Sequence, residues 1–238
     1  MKFAVFSDKG NHRETNEDNY IIQEISSETA LIAVADGMGG HQAGEVASQL
    51  AVNFLQDYQF DLESNIIKEM EQVINTINHE IIKQAHQNDE YDNMGTTLSL
   101  GLINQNKLFF GHVGDSRIYL FRDDDLQQLT TDDTLVQQLV QQGKIKPEDA
   151  FNNPRSHILT QGLGVEYELD IQTDEIKLQA EDILLFCTDG LSDMIRGIEI
   201  EKMLQDMSQI DQLTEKLGEM ALDNGGKDNI TVITGIIN

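Results

Sequence analysis

Short apolar runs, several of them alternating with polar residues, predict β-strands over residues 3–7, 20–25, 30–35, 97–103, 107–113, 117–121, 169–173, 182–187 and 229–237. Clusters of Gly, Asn and Asp punctuate them, and ADGMGG, LINQNKL and FRDDDL read as turns or loop mouths. After the third strand the period changes to that of a helix. Val46, Ala47, Leu50, Ala51, Phe54, Leu55 and Tyr58 form one apolar stripe, and Ile66, Met70, Val73, Ile77, Ile81 and Ala85 form a second. Leu135, Val136, Leu139 and Val140 mark a shorter helix with Gly143 as its stop. Ile210, Leu213, Leu217 and Met220 mark a late one that ends at Asn224, Gly225 and Gly226. Helices and strands do not alternate regularly, which disfavours a doubly wound parallel sheet and favours a mainly antiparallel α+β sandwich. Residues 143–165 lack periodicity and hold both prolines, so they read as a surface flap inserted in one domain spanning 1–238.

Charge narrows the function. The chain of 238 residues carries 16 basic and 42 acidic side chains, a net −26. Such a surface repels nucleic-acid phosphates and anionic membranes. It also opposes a phosphorylated substrate at long range, so any anion must be met by a local reversal of sign. The single cysteine, Cys187, excludes an internal disulfide framework and a cysteine zinc site. No run has the length of a membrane span, and the apolar start, Met1 to Phe6, is too short for a signal-peptide core. A reducing cytoplasm fits these features.

The acids have a pattern that bulk charge does not explain. Asp36 follows LIAVA, Asp115 follows LFFGHVG, Asp189 follows ILLFCT, Asp228 precedes NITVITGI, and Glu17 and Asp18 precede NYIIQEI. One Asp-Gly at a strand end is mostly a turn, and GDSR alone reads as a hairpin. Several carboxylates at the ends of strands in one sandwich can converge on one edge, where they repel unless protonated or bridged by cations. Oxygen ligands without paired Cys or His select Mg²⁺ or Mn²⁺ over zinc, and Ca²⁺ lacks its EF-hand spacing. Gly37, Gly39 and Gly40 would let backbone approach a ligand closely.

SDKGNHRETNEDN, VADGMGGHQAGEVAS, NMGTTL, GHVGDSRIYL, LLFCTDGLSD and GGKDNITVI occur in this order across nearly the whole chain. Together they resemble the metal-dependent protein serine/threonine phosphatases, the protein phosphatase 2C family, in its single-domain bacterial form. The resemblance implies two packed, mainly antiparallel sheets with helices on both outer faces. It implies two Mn²⁺ or Mg²⁺ ions at one edge. Asp36 would bridge both, Asp189 and Asp228 would hold one, and the Gly37 carbonyl would hold the other, with Asp18 or Glu17 contacting its waters. Asp115 with Asp189 matches the place of a third, weaker ion, and Arg13 matches an arginine that grips the substrate phosphate. The implied reaction is hydrolysis of a phosphoserine or phosphothreonine ester by a metal-activated bridging water. Where many eukaryotic members carry His after the Asp-Gly, this chain has Met38, so the general acid is His41 or a water. The implied partners are phosphoproteins and a bacterial Ser/Thr kinase whose targets are reset.

Rival chemistries find little support. Six positions after Cys187 stands Asp193, not the arginine of a cysteine phosphatase loop, and Cys187 reads as core. No GxxxxGK[ST] loop exists. His79 and His86 lie in a helix at a spacing unsuited to a metal pair, and Asp193 reads as support for Asp189 or as a helix cap. A catalytically dead phosphoprotein binder or a structural Mg²⁺ or Ca²⁺ domain are the alternatives of another class. The presence of Asp36, Asp189 and Asp228 argues against the first.

Overall fold

A computed structural model describes residues 1–39, 43–206 and 209–237. Two five-stranded antiparallel sheets lie at its centre. The first has the order β1 (Lys2–Asp8), β12 (Ile230–Ile236), β11 (Ile183–Cys187), β8 (Arg117–Arg122), β9 (Asp125–Gln128). The second runs β10 (Gln172–Lys177), β7 (Lys107–Val113), β6 (Leu98–Asn104), β3 (Thr29–Ala35), β2 (Asn19–Glu24). A short pair, β4 (Gly37–Met38) with β5 (Gly95–Thr96), follows β3 and precedes β6.

The two-residue period of each strand divides its side chains between layers. In β3 every position is buried. Leu31, Ala33 and Ala35 face a cluster built with Ala47, Ala51 and Leu55 of α1 (Ala43–Asp57) and Met70, Ile74 and Ile77 of α2 (Ile66–Ala85). Ala30, Ile32 and Val34 face a second cluster with Phe110, Ile118, Leu184 and Phe186, between the sheets. In β11, Leu185 and Cys187 point the other way. They join a third cluster with Ile200 and Leu204 of α6 (Gly197–Asp206) and Leu213, Leu217 and Ala221 of α7 (Ile210–Asp223). Three clusters between four layers define an αββα sandwich, as the resemblance implies.

Local chemistry sets the ends. Asn65 caps α2 by accepting from Lys68 N, and Thr134 caps α3 (Leu135–Gln141) by accepting from Gln137 N. Gly143 stops α3 with φ +69°, and Asn224 with Gly225 and Gly226 ends α7. The strand expected at 169–173 lies further on, as β10. Leu169 and Ile171 instead pack against the α1–α2 cluster, while β10 is a polar edge strand whose sequence, QTDEIK, hides its pairing with β7. FRDDDL is a turn, as expected, and it closes a hairpin: Asp123 and Asp124 both take positive φ and join β8 to β9, a strand the polar sequence does not announce. Helix α6 was not anticipated: the alternation Ile198, Ile200 resembles a strand, yet Ile200 and Leu204 bury on one helical face.

Residues 143–165 carry α4 (Pro147–Ala150) and turns. Leu135 N donates to Ile158 O, Thr160 N to Asp133 O, and Leu163 exchanges backbone bonds with Thr96. Gly164 N donates to Asn78 Oδ1, and Arg196 lies 4.9 Å from the centre of the Phe151 ring. Among the described residues no helix is long and apolar enough to cross a membrane.

The inter-sheet layer leaves no room at Gly101. A Cβ there would sit 2.6 Å from Cζ of Phe186, a ring only 1% exposed. Gly101→Ala should lower unfolding free energy by about 1–3 kcal/mol, the usual cost of overpacking a core. Urea unfolding checks this, and an unchanged midpoint would show that the two sheets are not in close contact there.

Candidate metal centre

Each acid singled out by sequence stands just beyond one end of a strand. Asp36 lies one residue past β3, and Gly37 follows where only glycine fits: a Cβ would come within 2.3 Å of Gly44 O and 2.6 Å of Glu17 O. Asp18 precedes β2, is buried, and accepts at Oδ2 from Thr188 Oγ1 at 2.9 Å. Asp115 sits in the loop from β7 to β8, after Gly114, whose amide donates to Asp133 Oδ2 at 2.8 Å. Asp189 opens a single helical turn, α5 (Asp189–Ser192), after β11. Asp228 precedes β12 and accepts at Oδ2 from Arg13 Nη2 at 2.6 Å. His41 and Gly40 lie outside the described residues.

Electrostatics bind these positions together. Burial raises the pKa of Asp36 well above the carboxylate range, and Asp189, Asp18, Asp115 and Asp228 add to it. Asp189 is raised likewise by burial and then by Asp115, Asp193, Asp228 and Asp18. Asp18 is pushed up to about 7, mainly by burial, with Asp228 adding repulsion. Asp115 is also pushed up to about 7, by burial and then by Asp132 and Asp193. Burial opposes the charge on Arg13, but Asp228, Glu17 and Asp36 outweigh it, so the guanidinium holds its proton more tightly.

Two oxygens in this group, Asp18 Oδ1 and Asp189 Oδ1, are buried with no hydrogen-bond partner. Buried acceptors are normally satisfied, so the pair calls for a cation or a donor. Among the described residues no three His, Cys, Asp or Glu side chains form a group that could by itself hold a metal ion. Mg²⁺ dehydrates reluctantly and is commonly held by one or two carboxylates with several waters. The residues present therefore fit hydrated divalent cations.

Sequence reading missed the supports. Asn229 accepts at Oδ1 from Glu17 N at 2.8 Å and donates from Nδ2 to Lys9 O and Thr15 O at 2.9 and 2.8 Å. It thereby staples the loop bearing Arg13 to β12. The only hint was an amide side chain beside Asp228 in KDNIT. Arg117 of GDSR forks onto Asp132, at 2.9 and 2.6 Å, and lines the smaller cavity with Asp115. Cavities of about 330 and 600 Å³ flank the acids and share Phe151, Ser156, Asp189 and Asp193. His157 lines the larger one, whereas Arg155 lines neither.

The family description Protein phosphatase 2C matches residues 11–230. The serine/threonine phosphatase stp of Listeria innocua is 38% identical over 232 residues, covering 95% of this chain and 92% of that protein. The serine/threonine phosphatase Stp1 structure from Staphylococcus aureus superposes with a TM-score of 0.94 at 33% identity, covering 100% and 95%. The catalytic domain of PstP in complex with two manganese ions gives 0.87 at 36% identity, covering 100% and 98%. The chain belongs to the protein phosphatase 2C family, the metal-dependent protein serine/threonine phosphatases.

A pH signature follows. Asp18 and Asp115 titrate near 3.8 when unperturbed and near 7 in the fold, so the fold favours their protonated forms. That contribution is complete below about pH 4 and is lost as pH rises through about 7. In chelator, the thermal midpoint should be lower at pH 8 than at pH 5, and Mn²⁺ at pH 8 should raise it. A midpoint that climbs from pH 5 to 8 in chelator would contradict the burial of these acids.

Proposed function

We propose that this chain hydrolyses phosphoserine and phosphothreonine esters in proteins, using two Mn²⁺ or Mg²⁺ ions held among Asp36, Asp189, Asp228, Asp18 and the Gly37 carbonyl. The observation that carries this reading is the gathering of acids from separate strand ends beside an arginine: Asp189, Asp18, Asp115 and Asp228 all act on Asp36, whose carboxyl burial already pushes up, and the Asp18 and Asp189 Oδ1 atoms lack hydrogen-bond partners. Such a group attracts divalent cations. When bound, the ions supply Lewis-acid charge and lower the proton affinity of water, so that hydrolysis needs no phosphoenzyme. Asp115 with Asp189 offers a place for a third ion.

The chain's own residues do the rest. Among the described residues Arg13 is the one guanidinium paired with a site acid, and its charge is held firmly by Asp228 and its neighbours. It would bind the phosphoryl oxygens and stabilise their growing charge. Asn229 and Thr188 keep the Arg13 loop and Asp18 aligned with β12 and β11. The leaving alkoxide would take its proton from His41 or from water. Residues 143–165 would act as a flap that selects substrates within one catalytic domain, since loops beside a rigid site tune specificity. The substrates would be cytoplasmic phosphoproteins marked by a bacterial Ser/Thr kinase.

p-Nitrophenyl phosphate and a phosphothreonine peptide should be hydrolysed with Mn²⁺ and left intact in chelator. Asp36→Ala and Asp189→Ala should abolish turnover while circular dichroism stays native. Unchanged turnover in either would remove the assignment. Arg13→Ala should lower kcat/KM about 10²-fold, the usual effect of losing one oriented donor to a transition-state anion. Asp115→Ala should weaken activity chiefly at low Mn²⁺.

A further inference from the structure

Asp36 lies beyond the end of its sheet. The ladder between β3 and β6 closes at Val34 and Ser99, so the Asp36 amide has no strand partner. Its N–H donates instead to Thr97 Oγ1 at 3.0 Å. Its carbonyl accepts from Thr97 N and from Thr96 Oγ1, both at 2.9 Å. The Asp36 backbone is thus held by two threonines.

Thr97 also reaches the other way. Its hydroxyl bonds Ser116 Oγ at 2.7 Å, and both residues are buried. Ser116 immediately follows Asp115. Ser99, two residues on and therefore on the same face, donates to Ser116 O at 2.9 Å. Ser99 also bonds His112 Nδ1 at 2.9 Å. Serine has one hydroxyl proton, so both bonds form together only when His112 Nδ1 carries the hydrogen. Gly114 closes directly onto Thr97: a Cβ there would lie 2.6 Å from Thr97 Cβ. Two distant acids, Asp36 and Asp115, are therefore joined through two buried hydroxyls, those of Thr97 and Ser116.

We propose that Thr97 is a positioning residue whose hydroxyl couples the Asp36 backbone to the Asp115 loop and so sets the affinity of the site for divalent cations. This rests on the metal reading above. Hydroxyls that orient metal-holding groups without touching the ion commonly govern affinity by 10- to 100-fold. The side chain has two separable parts. Its methyl packs on Gly114, and its hydroxyl makes the coupling.

Calorimetric titration of the full chain with Mn²⁺, alongside thermal unfolding in chelator, separates them. Thr97→Val keeps the shape and should lower Mn²⁺ affinity by roughly 10-fold or more, while Thr97→Ser should stay within about twofold of wild type. Ser116→Ala should lower affinity as well, and Thr97→Val with Ser116→Ala should be little worse than Thr97→Val alone, as expected for one shared chain of contacts. Affinity unchanged in Thr97→Val overturns the proposal. So does an equal loss in Thr97→Ser, which would assign the effect to the methyl. Should Thr97→Val not fold, Ser116→Ala decides on the same terms. A wild-type chain that takes up no Mn²⁺ would instead sink the metal reading itself.

Discussion

Withdrawal of acidic groups from water at one edge of the sandwich is the constraint around which this molecule is built. Asp18, Asp36, Asp115 and Asp189 come from four separate stretches of chain, burial raises the proton affinity of each, and neighbouring acids add to it. A fold that merely needed stability would not keep them, because removing charge from water is costly unless it is paired. Only a rigid frame holds such groups together without compensation, and the sandwich supplies it. Its three apolar layers fix the strands, and the strand ends fix the acids.

The supports around the acids are neutral. Asn229, Thr97, Thr188 and Ser99 hold backbone and carboxyl groups by hydrogen bonds that add no net charge. This leaves the field of the acids available to cations. It also gives Arg13 its distinct place: in a chain of net charge −26, on the function proposed above, it would join the cations in reversing the local sign for an anionic substrate. Long-range repulsion from the surface is screened within about 10 Å at ordinary salt, whereas contacts inside a partly dry cleft are not.

The layers were legible in sequence because the period of apolar residues is a direct record of burial. β3, β6, β7, β11 and β12 are such strands, and α1, α2 and α7 carry clear stripes. The edge strand β10 and the hairpin strand β9 were misplaced or missed because their polar residues face water and their pairing is made by backbone. The acids were visible through their place beside apolar runs. Their supports were not. Thr97 and Asn229 look like the first residues of ordinary strands until partners 60 and more positions away are brought to them. The role of Arg117 was hidden for the same reason, since Asp132 is a neighbour only in space.

Cys187 has a consequence of a different kind. It is fully buried on β11, and burial drives its thiol up to about 12. Peroxide and other thiol oxidants attack the thiolate, which this side chain does not form at any cellular pH. On the function proposed above, phosphate-ester cleavage would rest on oxygen ligands and an arginine, whereas the one sulfhydryl is buried in the layer between β11 and the helices. Oxidative bursts that silence phosphatases with a nucleophilic cysteine therefore find no corresponding thiol here.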